Sequence, residues 1–354
     1  KPNIARCLRG AWVVLIGASQ TNIWTSVLAN ALVPNALLAK RDNFSIDGVF
    51  TQMIDIVIDL DAGKVVHRNV MVDERYGKDL RIEAHTRQRD AWALKMAFAK
   101  AADAPRYSSS LVRITNFFAE YWDNVDMAVE AVHAQHHWDD AKVTMAIAIG
   151  LWYINSLHCS ATASWCATRP ELGKLSLDGL VGQFQDDMEG SLTKLEKICA
   201  PGGRAGELGC SIASIDHCQF MTGDVWHRIF DAVKESMEQR ATSLFRFVDL
   251  WTLTLTIPED CIGGHQSPMS TTITWQVFFS GFCKSSDAAE GTLFSFQGSR
   301  CRSDQVKAEC PNNGRTLGFH YAWECALAEP CTMTAVRPPK SLMPVQMAMG
   351  TVHL

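Results

Sequence analysis

Three kinds of apolar pattern follow one another along the chain. Residues Ala11-Trp12-Val13-Val14-Leu15-Ile16 form a short unbroken apolar run ending in Gly17-Ala18-Ser19, and Ile23, Val27, Leu28 and Leu32 then recur at helical spacing. This predicts a strand, a tight turn and a helix that Pro34 ends. Met53 to Leu60 alternates β-branched residues with Asp, and Asp61-Ala62-Gly63 separates it from Lys64 to Val72, the pattern of a hairpin. Arg89 to Ala102 reads as a helix, Leu111 to Phe118 as a strand and Asp126 to His137 as a helix. Val143 to Tyr153 is apolar without alternation, which suits a central strand buried on both faces. Two amphipathic helices follow, carrying Phe184, Met188, Leu192, Leu195 and Ile198, then Val225, Ile229, Val233 and Met237, with stripes suited to covering a sheet. Leu244 to Leu255 is a further strand, Pro258 to Gln266 a Gly-rich loop, and Ser270 to Phe282 a helix. The alternation of β with α predicts a mainly parallel sheet sandwiched by helices.

The chain has 354 residues, 47% hydrophobic and 20% charged, which excludes a disordered or coiled-coil protein. With 33 basic and 38 acidic residues the formal charge is −5, and no block of like charge occurs, so nucleic acid is not an expected partner. Twelve cysteines contain no C-x-x-C pair, and six of them (Cys261, Cys283, Cys301, Cys310, Cys325 and Cys331) fall after residue 260. A disulfide framework in an oxidising compartment fits this distribution. Asn43-Phe44-Ser45 is an N-glycosylation acceptor and points the same way. No apolar run is long enough to span a bilayer. The start at Lys1, without Met or a signal peptide, suggests a trimmed mature protein or ectodomain whose targeting segment or anchor has been left out. Composition divides the chain into an α/β domain, 1–283, and a cysteine-rich C-terminal extension, 284–354.

In open α/β sheets ligands bind outside the carboxyl ends of the strands, so polar residues that follow strands are the candidates. Ser19 follows the first strand where a helix begins, and the free N–H groups and dipole there suit a nucleophile or an oxyanion, or Ser19 is an N-cap only. The loop before the last helix holds Asp260 and His265, a carboxylate and a base of the kind that activates a serine, or is a polar loop pinned by Cys261. Gly150 and Asn155, at the end of the second strong strand, supply candidate oxyanion donors, as does the Gly17 turn. His133, His136 and His137 near Asp139 and Asp140 lack the glutamate of a zinc-protease helix and read as a solvated helix end. Among eleven tryptophans, Trp24 and Trp152 flank the candidate blocks and are the ones expected to line a cleft.

Cys7-Leu8-Arg9-Gly10, followed by the strand and Gly17-Ala18-Ser19, resembles the opening block of the SGNH or GDSL-type esterase superfamily, in its PC-esterase branch. That branch contains the trichome-birefringence-like and sialic-acid O-acetyltransferases. Asp260-Cys261-Ile262-Gly263-Gly264-His265 resembles the family's late Asp-Cys-x-His block with two residues inserted, and the helix ending near Cys283 is of the family's kind. The resemblance implies a three-layer α/β/α fold, with Ser19 as nucleophile, His265 as general base, Asp260 orienting it, and oxyanion donors at Ser19, Gly150 and Asn155. It implies an O-acetylated carbohydrate or glycan acceptor as partner, no cofactor, and a secreted or Golgi-lumenal protein. Ala18 stands where the family has Asp, and the Asp-to-His spacing is five positions instead of three, which makes Glu259 a second candidate acid. The rival expectations are a catalytically inactive glycan- or protein-binding relative and a cysteine-rich interaction protein.

Overall fold

The structure, a computed structural model, describes residues 3–34, 36–37, 50–73, 104–150, 153, 169, 171–199, 211–215, 224–240, 245–248, 268–280, 283, 299–300 and 331–332. After a short helix α1 (Asn3–Cys7), the unbroken apolar run becomes β1 (Ala11–Gly17), every residue of which is buried. A strand without polar alternation has no face to offer water, so it needs cover on both sides. It leads through Ala18 into α2 (Ser19–Leu32). The hairpin expected from Asp61-Ala62-Gly63 is β2 (Phe50–Asp59) and β3 (Lys64–Asp73). Next come β4 (Leu111–Phe118), α3 (Trp122–His133), a 3-10 turn at His136–Trp138, and β5 (Lys142–Ala148). The chain continues with α4 (Leu177–Cys199), β6 (Ser211–Ile215), α5 (Asp224–Gln239), β7 (Phe245–Val248) and α6 (Pro268–Ser280).

The seven strands lie in the order β3-β2-β4-β1-β5-β6-β7. The sheet is mixed: β4, β1, β5, β6 and β7 run parallel, while β2 is antiparallel to both β4 and β3. The hairpin therefore extends one edge of a parallel sheet, because two strands joined by a tight turn can only pair antiparallel. Numbered among themselves, the parallel strands have the order 2-1-3-4-5 of doubly wound sheets, which places the topological switch point beside β1.

Two apolar clusters cover the two faces. Trp12, Val14 and Ile16 of β1 pack with α3, α4 and α5 through Trp122, Val125, Phe184, Met188, Leu192, Ile229 and Val233. Val13 and Leu15 face α1, α2 and α6 through Ile4, Trp24, Leu28, Trp275, Phe278 and Phe279. The stripes of α4 and α5 thus do cover the sheet, each buried large side chain contributing about 1.5–3 kcal/mol. A disulfide, Cys7–Cys283, joins the residue that ends α1 to the one three positions beyond α6, with Cα atoms 5.5 Å apart. Gly10, between α1 and β1, has φ +66°, and a Cβ there would lie 2.7 Å from the Tyr107 hydroxyl. Only glycine fits both conditions, and the position is stitched to the sheet by Gly10 N–H donating to Leu111 O and Lys142 N–H donating to Gly10 O.

Several expectations shift. The strand expected over Val143 to Tyr153 ends at Ala148, and the helix expected over Asp126 to His137 spans Trp122–His133. The short strand β6 was not expected at all, its Ser-Ile-Ala-Ser-Ile giving no apolar run. The helix expected over Arg89 to Ala102 lies outside the described residues, as do Asn43 and nearly all of 284–354, of which only the paired Ser299–Arg300 and Cys331–Thr332 are described. Among the described residues no helix is long and apolar enough to cross a membrane.

Candidate functional site

Gly17 of β1 is the register partner of Ala148 on β5 and of Phe118 on β4. A Cβ on Gly17 would fall 2.6 Å from the Ala148 carbonyl oxygen and 2.6 Å from Thr21 Cγ2. Glycine is required here by close approach, which lets the chain leave β1 tight against its neighbour and turn at once into α2. Ser19 is the first residue of that helix, two positions beyond Gly17, and Gly150 lies two positions beyond Ala148. The structure therefore brings Gly17, the Ser19 backbone and Gly150 to the same end of two adjacent strands, at the switch point. Thr21 closes the helix start by donating its N–H (3.0 Å) and its hydroxyl (2.8 Å) to the Ala18 carbonyl.

On the side of α2, α6 runs alongside. Trp275 Nε1 donates to the Trp24 carbonyl at 2.9 Å, and the two indoles meet edge-on with centroids 6.3 Å apart. Cys283, beyond α6, is bonded to Cys7, ahead of β1, at the amino end of the sheet. Since α2 descends from the carboxyl end to the amino end, both helices start at the carboxyl end and run the same way. Trp24 is the sixth residue of α2 and Trp275 the eighth of α6, so the contact between them falls within the first eight residues of each helix.

Trp24 itself is 0% exposed and packs in the core beneath α2, out of reach of a sugar ring. Trp152, Asn155, Glu259, Asp260 and His265 lie outside the described residues. Of the histidine group, His136 is exposed and His137 is tucked inward, its Nε2 buried without a hydrogen-bond partner. Burial, and then the Arg113 charge, hold the His137 imidazole below its usual titration range. Among the described residues no group of three His, Cys, Asp or Glu side chains could hold a metal ion.

Two polar clusters escape sequence reasoning. The first lies near the carboxyl end, where Gly150 O accepts from Tyr153 N–H at 3.1 Å. The Tyr153 hydroxyl donates to Asp187 Oδ2 at 2.6 Å and accepts from Trp122 N–H at 3.4 Å. Arg169 donates to the same Asp187 oxygen at 2.6 Å and to Glu171 at 2.9 Å, and its guanidinium faces the rings of Tyr121 (5.3 Å) and Tyr153 (5.8 Å). Gln183 Nε2 completes the set by donating to Asp187 Oδ1 at 2.8 Å. Burial, together with the Asp187 charge and its hydrogen bond, pushes the Tyr153 phenol above its usual range, so it stays a donor.

The second cluster lies toward the amino end, where Arg113 pairs in register with Trp12. Arg113 and Asp55 are both 0% exposed and form a bidentate pair, Nε to Oδ1 at 2.9 Å and Nη2 to Oδ2 at 2.8 Å. Thr115 Oγ1 donates to Asp55 at 2.7 Å and accepts from Trp12 Nε1 at 2.8 Å, while the guanidinium lies 4.4 Å over the Trp12 ring. Burial alone would raise the Asp55 pKa, but the Arg113 charge and the donated hydrogen bonds outweigh it and hold the carboxyl at about 2. His67 Nε2, 3.6 Å from Asp55 Oδ2, is beyond hydrogen-bond range. The Asp in Met53-Ile54-Asp55-Ile56-Val57 was the one signal for this cluster, because a carboxylate within a strand of β-branched residues needs a partner.

Comparison with known proteins gives no match to a family model, to a curated protein or to a solved structure.

Proposed function

We propose that this chain is an SGNH-hydrolase-like protein, three-layered α/β/α, that acts as a carbohydrate O-acyl esterase or O-acetyltransferase through an acyl-serine intermediate. One observation carries the reading. Ser19 opens α2 at the switch point of the sheet, and α6 starts at the same end and packs against α2 through Trp275 and Trp24. In the sequence His265 stands three positions before Pro268, the first residue of α6. The disulfide adds support, since it joins the Cys of the opening block to the Cys that follows the helix after the late block, and it fits an oxidising, secreted or lumenal setting.

In this reading Ser19 Oγ attacks the acyl carbonyl carbon while His265, oriented by Asp260 or Glu259, takes the hydroxyl proton. N–H groups at the start of α2 and around Gly150 and Asn155 receive the oxyanion. Collapse breaks the bond to the sugar oxygen, which takes the proton back from His265. Water, or a second sugar hydroxyl, then attacks the acyl-serine, with His265 again accepting the proton, and collapse breaks the bond to Ser19 Oγ, which takes that proton back. The test is intact-mass detection of fluorophosphonate labelling on the wild type, Ser19→Ala and His265→Ala. Labelling of the wild type lost in both variants is the expected result. A second reading, a binding protein that has lost the chemistry, is favoured by Ala18 in place of the family's Asp. It predicts a folded wild type that takes no label.

A further inference from the structure

We propose that Asp187 is a positioning residue: through Tyr153 and Arg169 it fixes the turn at Gly150 that borders the Ser19 end of the sheet. The proposal rests on the functional reading above for what the turn does, but the clamp itself stands on its own geometry. Three segments meet in it. Tyr121 comes from the chain that leaves β4, Tyr153 from the chain that leaves β5, and Arg169 from the chain that enters α4. Asp187, midway along α4, accepts from the Tyr153 hydroxyl, from Arg169 and from Gln183, at 2.6, 2.6 and 2.8 Å. The same phenol accepts from Trp122 N–H at the start of α3, so one hydroxyl ties α3, α4 and the Gly150 turn together.

Apolar side chains of similar volume would hold α4 on the sheet without the cost of burying a charge pair. What they would not give is direction, since burial of apolar area is indifferent to rotation whereas hydrogen bonds aim the groups that make them. A directional clamp at Tyr153, five residues beyond β5, holds the Gly150 carbonyl that accepts from Tyr153 N–H, and an oxyanion donor is effective only within a few tenths of an ångström of its place. The surrounding rings support the clamp sterically: Tyr153 stands edge-on to Tyr121 at 5.1 Å and to Phe184 at 5.0 Å.

The experiment combines amide hydrogen exchange by mass spectrometry with the fluorophosphonate labelling rate, on wild type, Tyr153→Phe and Asp187→Asn. Tyr153→Phe keeps the ring and its packing and removes only the hydroxyl. Exchange in the peptide 149–153 is expected to rise at least tenfold in Tyr153→Phe, with β1 and α2 peptides unchanged and the labelling rate down at least tenfold. Asp187→Asn should fall between, because its amide oxygen still accepts from the phenol. Unchanged exchange at 149–153, or an equal loss of protection across the whole sheet, would overturn the proposal. A wild type that takes no label but shows the local exchange change sinks the serine chemistry and leaves the clamp standing.

Discussion

Asp55→Asn is a substitution outside the candidate site whose effect can be worked from this structure in two independent ways. It leaves the side chain's shape in place and removes the charge opposite Arg113, whose guanidinium is 0% exposed and already has Nη1 without a hydrogen-bond partner. Breaking a buried ion pair from one side costs about 3–5 kcal/mol, because the remaining charge has no counter-charge and no water. The titration of Asp55 gives an independent lower figure. Its carboxyl sits at about 2 in place of 3.8, a depression worth about 2 kcal/mol at 1.36 kcal/mol per pH unit. Because the folded carboxyl titrates below the unfolded one, this contribution is complete above about pH 4 and is lost as the pH falls toward 2. Urea unfolding followed by tryptophan fluorescence at pH 7 and at pH 3 checks both figures. The wild type should lose part of its stability at pH 3 through this group, Asp55→Asn should start lower and show less of that loss, and the pair Asp55→Leu with Arg113→Met should recover most of the deficit. A single variant within 1 kcal/mol of wild type at pH 7, or a double variant no better than the single, would refute the account of the cluster.

Two further outcomes follow from the same geometry. Opening the Cys7–Cys283 bond, by Cys7→Ser or by reductant, frees a loop closed across 276 residues, for which chain entropy gives about 6 kcal/mol; thermal unfolding with and without reductant should show a fall in Tm that Cys7→Ser abolishes if no other disulfide contributes. Gly17→Ala places a methyl 2.6 Å from the Ala148 carbonyl oxygen, a backbone atom that cannot swing aside, and should cost about 1–3 kcal/mol in urea unfolding and lower fluorophosphonate labelling more than the stability loss explains. Equal labelling in Gly17→Ala and wild type would show that the close β1–β5 approach does not shape the Ser19 end.

What could be read from residues alone was local. The apolar run at Ala11 to Ile16 with its Gly17 stop, the helical recurrence after Ser19 and the hairpin turn at Asp61-Ala62-Gly63 each carry their structure within a dozen residues, and each forms as expected. The strand at Val143 overran because apolar composition continues past Gly150 although pairing with β1 stops at Ala148, and burial without pairing leaves the same imprint on a sequence. The mixed sheet was out of reach, since nothing in the hairpin's own residues says that β2 will lie against β4. The polar clusters were hidden for a related reason. Asp55 meets Arg113 across 58 positions and Tyr153 meets Asp187 across 34, so the partner of each is set by the fold and not by neighbouring sequence. Of the candidate residues, Gly17 ends β1, Ser19 opens α2 and Gly150 lies two positions beyond the end of β5, whereas Trp24 belongs to the core.

The Cys7–Cys283 bond also imposes an order on biosynthesis. At about 5–20 residues per second, a ribosome needs roughly 15–55 s to deliver Cys283 after Cys7 has emerged, and six other cysteines (Cys159, Cys166, Cys199, Cys210, Cys218 and Cys261) pass in between. Each is an earlier suitor for the Cys7 thiol, so reaching the native pairing calls for thiol exchange more than for oxidation alone. β1 and Ser19 are made well before α6, the helix that lies against α2. A nascent chain released before α6 would carry Ser19 with neither the bond nor the neighbouring helix, so this end of the sheet is complete only once about 260 residues beyond Ser19 have been made.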